Sequence, residues 1–306
     1  MSRGPGRDDG TLVPIVLAIA AIIVLTVMDA IIKGVSAGRS TIDIVALRYA
    51  CGFVWALPIL AVVRPPRPSA DMLKANAMRS IVVLATALFF FYALARLPLV
   101  EATTLGYLAP VFMAVLARVI LGEPVARATG LAIVLGFAGV VVIAGGRGLG
   151  SGGFGGDGLG VAAALAAALA YALSMVLLRA RTASDPTVTI VVTQNLFAAA
   201  MAVPAAFLLG DPLALLRDET LGVLAIGALG TAGHLLFAEA YKGAPAAKIG
   251  AMEYTGFIWA AGIGILAFGE WPTLPMLAGA ALIVSGSLML LRKPSTKAPV
   301  TAPADA

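Results

Sequence analysis

The sequence predicts an all-α integral membrane fold: ten transmembrane helices arranged as two inverted five-helix repeats. Three observations carry that reading. The 306-residue chain is 60% hydrophobic and 12% charged, with a mean hydropathy of +1.00, whereas a soluble domain holds about 25% charged residues. Its apolar residues fall into ten runs, each near the ~20 residues that a spanning helix needs. A segment also recurs. Shifting Pro98, Tyr107, Ala114, Gly122 and Glu123 by 147 positions lands on Pro245, Tyr254, Ala261, Gly269 and Glu270 without a gap. Each copy is a helix-length run that follows a proline and leaves through Gly-Glu.

Residues 1–12 are polar and Gly/Pro-rich and read as a short tail. The first apolar run covers 13–35. It is longer than the 7–15 residues of a signal-peptide core, and Asp29 and Lys33 interrupt its end, so it reads as a spanning helix. Further runs follow at 43–63, 77–97, 100–121, 127–146, 158–179, 187–209, 220–241, 246–268 and 273–291. Turn formers such as Arg64-Pro65-Pro66-Arg67-Pro68 and Asp211-Pro212 mark the links. Pro58, Pro110 and Pro204 are placed to kink the second, fourth and seventh helices. The Gly-rich stretch around 145–158 lies between runs five and six and reads as a hinge. No strand precedes it and no Lys-Ser/Thr follows, so it is not a phosphate loop. The expected organisation is a tail at 1–12, a first repeat at 13–146, a linker at 147–157, a second repeat at 158–292 and a tail at 293–306.

Five helices per half is an odd number, so the second half enters the membrane with opposite orientation. Inverted halves of this kind place a ligand site near the bilayer midplane, where they meet. The net charge of +5 is spread between apolar runs rather than gathered in one basic stripe with aromatics, which excludes a nucleic-acid face. With the N-terminus inside, about fifteen Lys and Arg residues, Arg79 among them, fall at inner helix ends and five at outer ends. Both termini are therefore expected to be cytoplasmic. The lone Cys51 rules out an intrachain disulfide, and no Cys/His cluster has metal-ligand spacing, so no metal or other cofactor is expected.

Ionisable groups inside spanning segments cost about 2.5–3.5 kcal/mol each at the helix centre, which makes them candidate functional residues. Helix 1 carries Thr26, Asp29 and Lys33 on one face, with Lys33 close enough to the surface to snorkel. Helix 2 carries Arg48, at a depth that predicts a pair with Asp29. Such a pair serves either to fasten the two helices or to meet a ligand. In the second half, Gln194 and Asn195 sit on helix 7, and Asn195 is the repeat partner of Arg48. His234, the only histidine, and Glu253 are expected at similar depth on neighbouring helices. Together they would hold a cation, pass a proton or form an interhelical hydrogen bond. Tyr92, Tyr107, Tyr254 and Trp259 are aromatic candidates, for stacking on a ligand or for helix packing. Glu123 and Glu270 are expected to face headgroups or loop amides.

On these residues the chain resembles the drug/metabolite transporter superfamily, in particular its ten-helix EamA-type members. The resemblance rests on Leu121-Gly122-Glu123-Pro124 and Phe268-Gly269-Glu270-Trp271-Pro272, on Arg48, and on Leu97-Pro98-Leu99-Val100-Glu101-Ala102. Asp29-x3-Lys33, Gly233-His234 and Glu253-Tyr254-Thr255 look like the branch that holds S-adenosylmethionine uptake transporters and some riboflavin importers. The resemblance implies alternating access through a central cavity in the cytoplasmic (inner) membrane. The expected function is secondary transport of a small polar or zwitterionic metabolite, amino-acid-like or S-adenosylmethionine, with a proton or ion as coupling partner. Arg48 would meet a substrate carboxylate, and Glu253 an amine or sulfonium. The competing reading is a non-transporting accessory subunit or an integral-membrane enzyme. For the latter, the chain offers one His and one Cys in separate regions and no base cluster.

Overall fold

The fold is seen in a computed structural model that describes residues 12–121, 131, 134–136, 138–139, 141–142, 157–179, 185–243, 252–253 and 255–289. Among them there are helices and no strands. The helices are α1 (Leu12–Val35), α2 (Thr41–Val63), α3 (Ala70–Leu94), α4 (Leu99–Gly106), α5 (Ala109–Leu121), α6 (Gly158–Arg179), α7 (Thr187–Leu209), α8 (Pro212–Asp218), α9 (Thr220–Gly243), α10 (Gly256–Phe268) and α11 (Leu274–Met289). Six of these, α1, α2, α3, α6, α7 and α9, are long and apolar enough to cross a membrane, and α10 and α11 are shorter apolar helices. The run expected at 127–146 is described only in part, and the Gly-rich linker up to residue 156 lies outside the described residues.

Local chemistry sets the helix ends. α3 starts at Ala70, seven residues before the expected run, because Ser69 caps it by accepting from the Met72 amide at 3.2 Å. α2 stops where Pro65 follows Arg64, whose left-handed φ of 46° turns the chain out of the helix. The expected fourth helix divides into α4 and α5 at Tyr107-Leu108, where the amides of Tyr107 and Leu108 reach only three residues back, to Thr104 and Leu105. Pro110 has no N–H to continue the ladder, so the break falls one turn before it. Pro58 and Pro204, by contrast, sit inside unbroken helices.

The internal repeat is visible in the backbone. Shifted by 147 residues, α5 falls on α10 with both ends coincident. The Leu108-to-Leu105 turn likewise falls on the bond from the Thr255 amide to the Met252 carbonyl. The main packing follows the same symmetry. α1 lies against α9 and α3 against α6, which are two copies of one contact under the repeat, while α2 lies against its own counterpart α7. Each half therefore packs on the other rather than on itself. Large apolar side chains such as Val62, Leu208, Leu221 and Leu266 point outward, all more than four-fifths exposed. That is tolerable where lipid is the solvent. Alanines dominate the buried contacts, as expected where helices approach closely without a hydrophobic driving force.

One end of the bundle is tied shut by contacts between the halves. Lys33 Nζ donates to the Leu97 carbonyl at 2.6 Å and pairs with Glu270 Oε1 at 3.0 Å. Glu270 Oε2 in turn accepts from the Leu99 amide at 2.9 Å, the first N–H of α4. Glu270 thus meets the first amide of a helix and a lysine instead of a headgroup or loop amide, and Lys33 turns inward instead of snorkelling, because a carboxylate is within its reach. At the same end Arg39 pairs with Asp218 at 2.8 Å and Arg96 with Asp157 at 2.7 Å. The Asp43 carboxylate accepts from the Asp211 amide at 3.0 Å.

Candidate functional site

Between the halves lies a cavity of about 250 Å³. α1 contributes Thr26, Met28 and Asp29, and α2 contributes Arg48 and Tyr49. α3 adds Arg79, Thr86, Phe90 and Phe91. α4 adds Thr103, and the α4–α5 break adds Tyr107. The second half supplies Tyr171 and Ser174 from α6, Gln194 from α7, His234 and Phe237 from α9, and Glu253. A mostly apolar cavity with a few convergent polar groups is the ordinary form of a small-molecule site.

Asp29, Arg48, Tyr107, His234 and Glu253 are brought together here, as the sequence reading expects, but not in the expected pairs. Asp29 and Arg48 face the same space without contact. Asp29 has no hydrogen bond and no ion pair within 4.0 Å among the described residues. Arg48 lies over the Tyr49 ring, 4.1 Å from its centroid, and its Nη2 is 3.4 Å from His234 Nδ1. Both line the cavity, but the ring next to Arg48 in sequence takes its guanidinium first.

His234 and Glu253 are not partners either. His234 Nδ1 is 2.7 Å from the Gly230 carbonyl one turn back. A carbonyl only accepts, so Nδ1 carries the proton, and Arg48 facing it gains no hydrogen bond there. Glu253 Oε1 accepts from the hydroxyls of Tyr171 at 3.2 Å and Tyr241 at 3.1 Å. Two phenols, not an imidazole, hold this carboxylate.

Three expected residues lie elsewhere. Asn195 is 2% exposed and donates to Thr231 Oγ1 at 3.2 Å, which donates to the Gly52 carbonyl at 3.0 Å. It knots α2, α7 and α9 together and does not line the cavity. Tyr92 stacks under Arg96, 4.4 Å from the guanidinium, near the tied end. Trp259 is 38% exposed on the outside of α10. Tyr254 lies outside the described residues.

The sequence reading missed Arg79 as a cavity residue, placing it at an inner helix end. Because α3 starts at Ala70, Arg79 is nine residues in, about 14 Å along the axis. It is 5% exposed. Its Nη2 donates to Gln194 Oε1 at 2.7 Å and its Nη1 to Ser174 Oγ at 3.4 Å. The signal that could have found it is Pro68-Ser69-Ala70-Asp71, a helix-start pattern that lengthens the run. Tyr171 was also missed. It shares a helix face with Ser174, three residues on.

Comparison with known proteins agrees with this architecture. A curated relative, the "Pseudopaline exporter CntI" of Pseudomonas aeruginosa, is 27% identical over 280 residues, 91% of this chain and 95% of its own. An "Uncharacterized transporter" of Helicobacter pylori is 27% identical over 222 residues, 71% of this chain and 73% of its own. A solved crystal structure shares the fold, with a TM-score of 0.61 and 21% identity over 93% of this chain and 97% of its own. The model of the EamA-like transporter family matches twice, at residues 12–145 and 158–292. With both matches together spanning nearly the whole length, this multi-pass membrane protein belongs to the EamA-like transporter family.

Proposed function

We propose that the chain is a secondary transporter that moves a small zwitterionic metabolite across the cytoplasmic membrane by alternating access. In this reading ten helices form two inverted halves, 13–146 and 158–292, joined by the linker at 147–157. Both termini are cytoplasmic, which makes the end tied by Lys33 and Glu270 the outer one. The observation that carries the reading is ionisable groups of both kinds, acidic and basic, left without a counter-ion inside one cavity. Among the described residues Arg48, Arg79, Asp29 and Glu253 all face it, and none has an ion pair within 4.0 Å. Unpaired intramembrane charges are expensive, and a substrate that supplies the missing partners recovers part of that cost. Arg48 receives a substrate carboxylate. Glu253, on its two phenols, receives an amine or sulfonium, or a coupling proton when the substrate is absent.

S-adenosylmethionine and the amino acids fit this charge pattern. The name of the Pseudomonas aeruginosa relative adds pseudopaline to the panel and makes export the direction to try first. The test is counterflow in proteoliposomes with those compounds, comparing wild type with Arg48→Gln and Glu253→Gln. Transport by wild type and at least tenfold loss in each variant is the expected outcome. Unchanged kinetics in both variants would refute the assignment of the site.

A further inference from the structure

The cavity holds two guanidiniums, and the fold treats them unlike the cations of the tied end. At the tied end, Lys33, Arg39 and Arg96 each have a carboxylate within 2.7–3.0 Å. In the cavity, Arg48 and Arg79 are 4% and 5% exposed, and among the described residues neither has a carboxylate within 4.0 Å. Each also keeps a buried Nε without a hydrogen-bond partner. Neutral groups hold both in place. Gln194 and Ser174 orient Arg79, and the Tyr49 ring supports Arg48. The Gln194 oxygen must be the atom facing Arg79, since a guanidinium only donates. These contacts use at most two of the five N–H donors of Arg79, so most of its hydrogen-bonding capacity is unspent.

The two guanidiniums have separate supports, on α2 for Arg48 and on α6 and α7 for Arg79. Anchored on different helices, Arg48 and Arg79 present two guanidiniums to one cavity. Two carboxylates, Asp29 and Glu253, line the same cavity, and among the described residues neither has a cation within 4.0 Å. We infer that the substrate carries two carboxylates as well as its cationic centre, and that Arg79 binds the second carboxylate while Arg48 binds the first. Arg79 is then the residue that separates dicarboxylate zwitterions from monocarboxylate ones. This deepens the transporter reading above and rests on it. Losing a charge-assisted contact in a water-poor site weakens binding by about 10- to 100-fold, so the discrimination expected at Arg79 is of that size.

The test is calorimetric binding to the purified full-length protein with two matched pairs of probes, diaminopimelate against lysine and glutamate against glutamine. Each pair differs by one carboxylate. Wild type is expected to bind the dicarboxylate of at least one pair ten- to a hundredfold more tightly. Arg79→Gln is expected to bring that ratio close to one by weakening the dicarboxylate more than its monocarboxylate partner. Arg48→Gln weakens both members of a pair. Arg79→Lys, which keeps a point charge, recovers part of the preference and serves where the glutamine variant does not fold. An unchanged ratio in Arg79→Gln, or equal weakening of both members, overturns the inference. So does wild-type binding of the monocarboxylates with no preference, and that outcome leaves the transporter reading standing. Wild type that binds none of the four probes also overturns the inference, while the transporter reading stands or falls by its own counterflow panel.

Discussion

Replacing Glu270 by Gln is expected to open the tied end of the bundle. The side chain is isosteric, and its oxygen still accepts from the Leu99 amide. The change removes two things. The first is the ion pair with Lys33, at 3.0 Å and with side chains only 15% and 23% exposed. A hydrogen bond to a charged group in such a setting is worth about 1.5–3 kcal/mol. The second is negative charge at the N-terminus of α4, worth about 0.3–1 kcal/mol. Together they amount to about 3 kcal/mol, or roughly a 100-fold shift in the ratio of open to closed forms at 1.4 kcal/mol per tenfold. The assay is reaction of Thr86→Cys, inside the cavity, with a membrane-impermeant thiol reagent, after Cys51, the one native cysteine, is changed to Ala. From the Lys33 side, the rate should rise by about 100-fold, up to the ceiling of a fully open protein. A rate within threefold of the parent, or an equal rise from the opposite side, would refute the assignment. Exchanging the two residues, Lys33→Glu with Glu270→Lys, should not restore closure. The Leu97 carbonyl needs a donor and the Leu99 amide an acceptor, and the exchange inverts both.

Three further outcomes follow from the geometry. Gly52→Ala puts a methyl 3.0 Å from Thr231 Oγ1 and 3.1 Å from Asn195 Oδ1, so one buried hydrogen bond of the three-helix knot should be lost. That costs about 1–3 kcal/mol, read as a lower midpoint of unfolding in detergent with substrate affinity unchanged. Gly269→Ala forces a side chain into φ of 65°, at about 1–2 kcal/mol, and misdirects Glu270, so it should raise labelling from the Lys33 side as Glu270→Gln does. The hydrogen bond from Arg96 holds the Asp157 carboxyl below its ordinary range. Its contribution is therefore complete above the unfolded value of about 3.9 and is lost as pH falls through the lower folded value. The difference in melting temperature between wild type and Arg96→Gln should be constant from pH 8 to 5 and shrink below about pH 4. A difference that changes near neutrality would show that another group titrates with the clasp.

The membrane class and the repeat were legible because they depend on sums and offsets that folding does not alter. The meaning of the repeat was not. Gly269-Glu270 marks the end of a helix, but its use appears only in three dimensions. The left-handed Gly269 ends α10, and the Glu270 amide folds back on the Gly264 carbonyl at 2.9 Å. That turn carries the carboxylate across to Lys33 and Leu99 of the other half. Depth was legible for Asp29, Arg48 and Glu253, since it follows from residue counts along a helix. Partner choice was not, since it depends on helix rotation and on neighbours no spacing rule can see. The phenols of Tyr171 and Tyr241 reach Glu253, and the Tyr49 ring takes Arg48. Arg79 was lost through a boundary, since a helix start misplaced by seven residues moves a charge from the cavity to the membrane surface. The same error inflates the charge bias used to orient the chain, because one of the fifteen inner cations is a cavity residue. Removing it leaves fourteen against five, so the expected orientation does not rest on Arg79, whereas the reading of the cavity as a two-guanidinium site does.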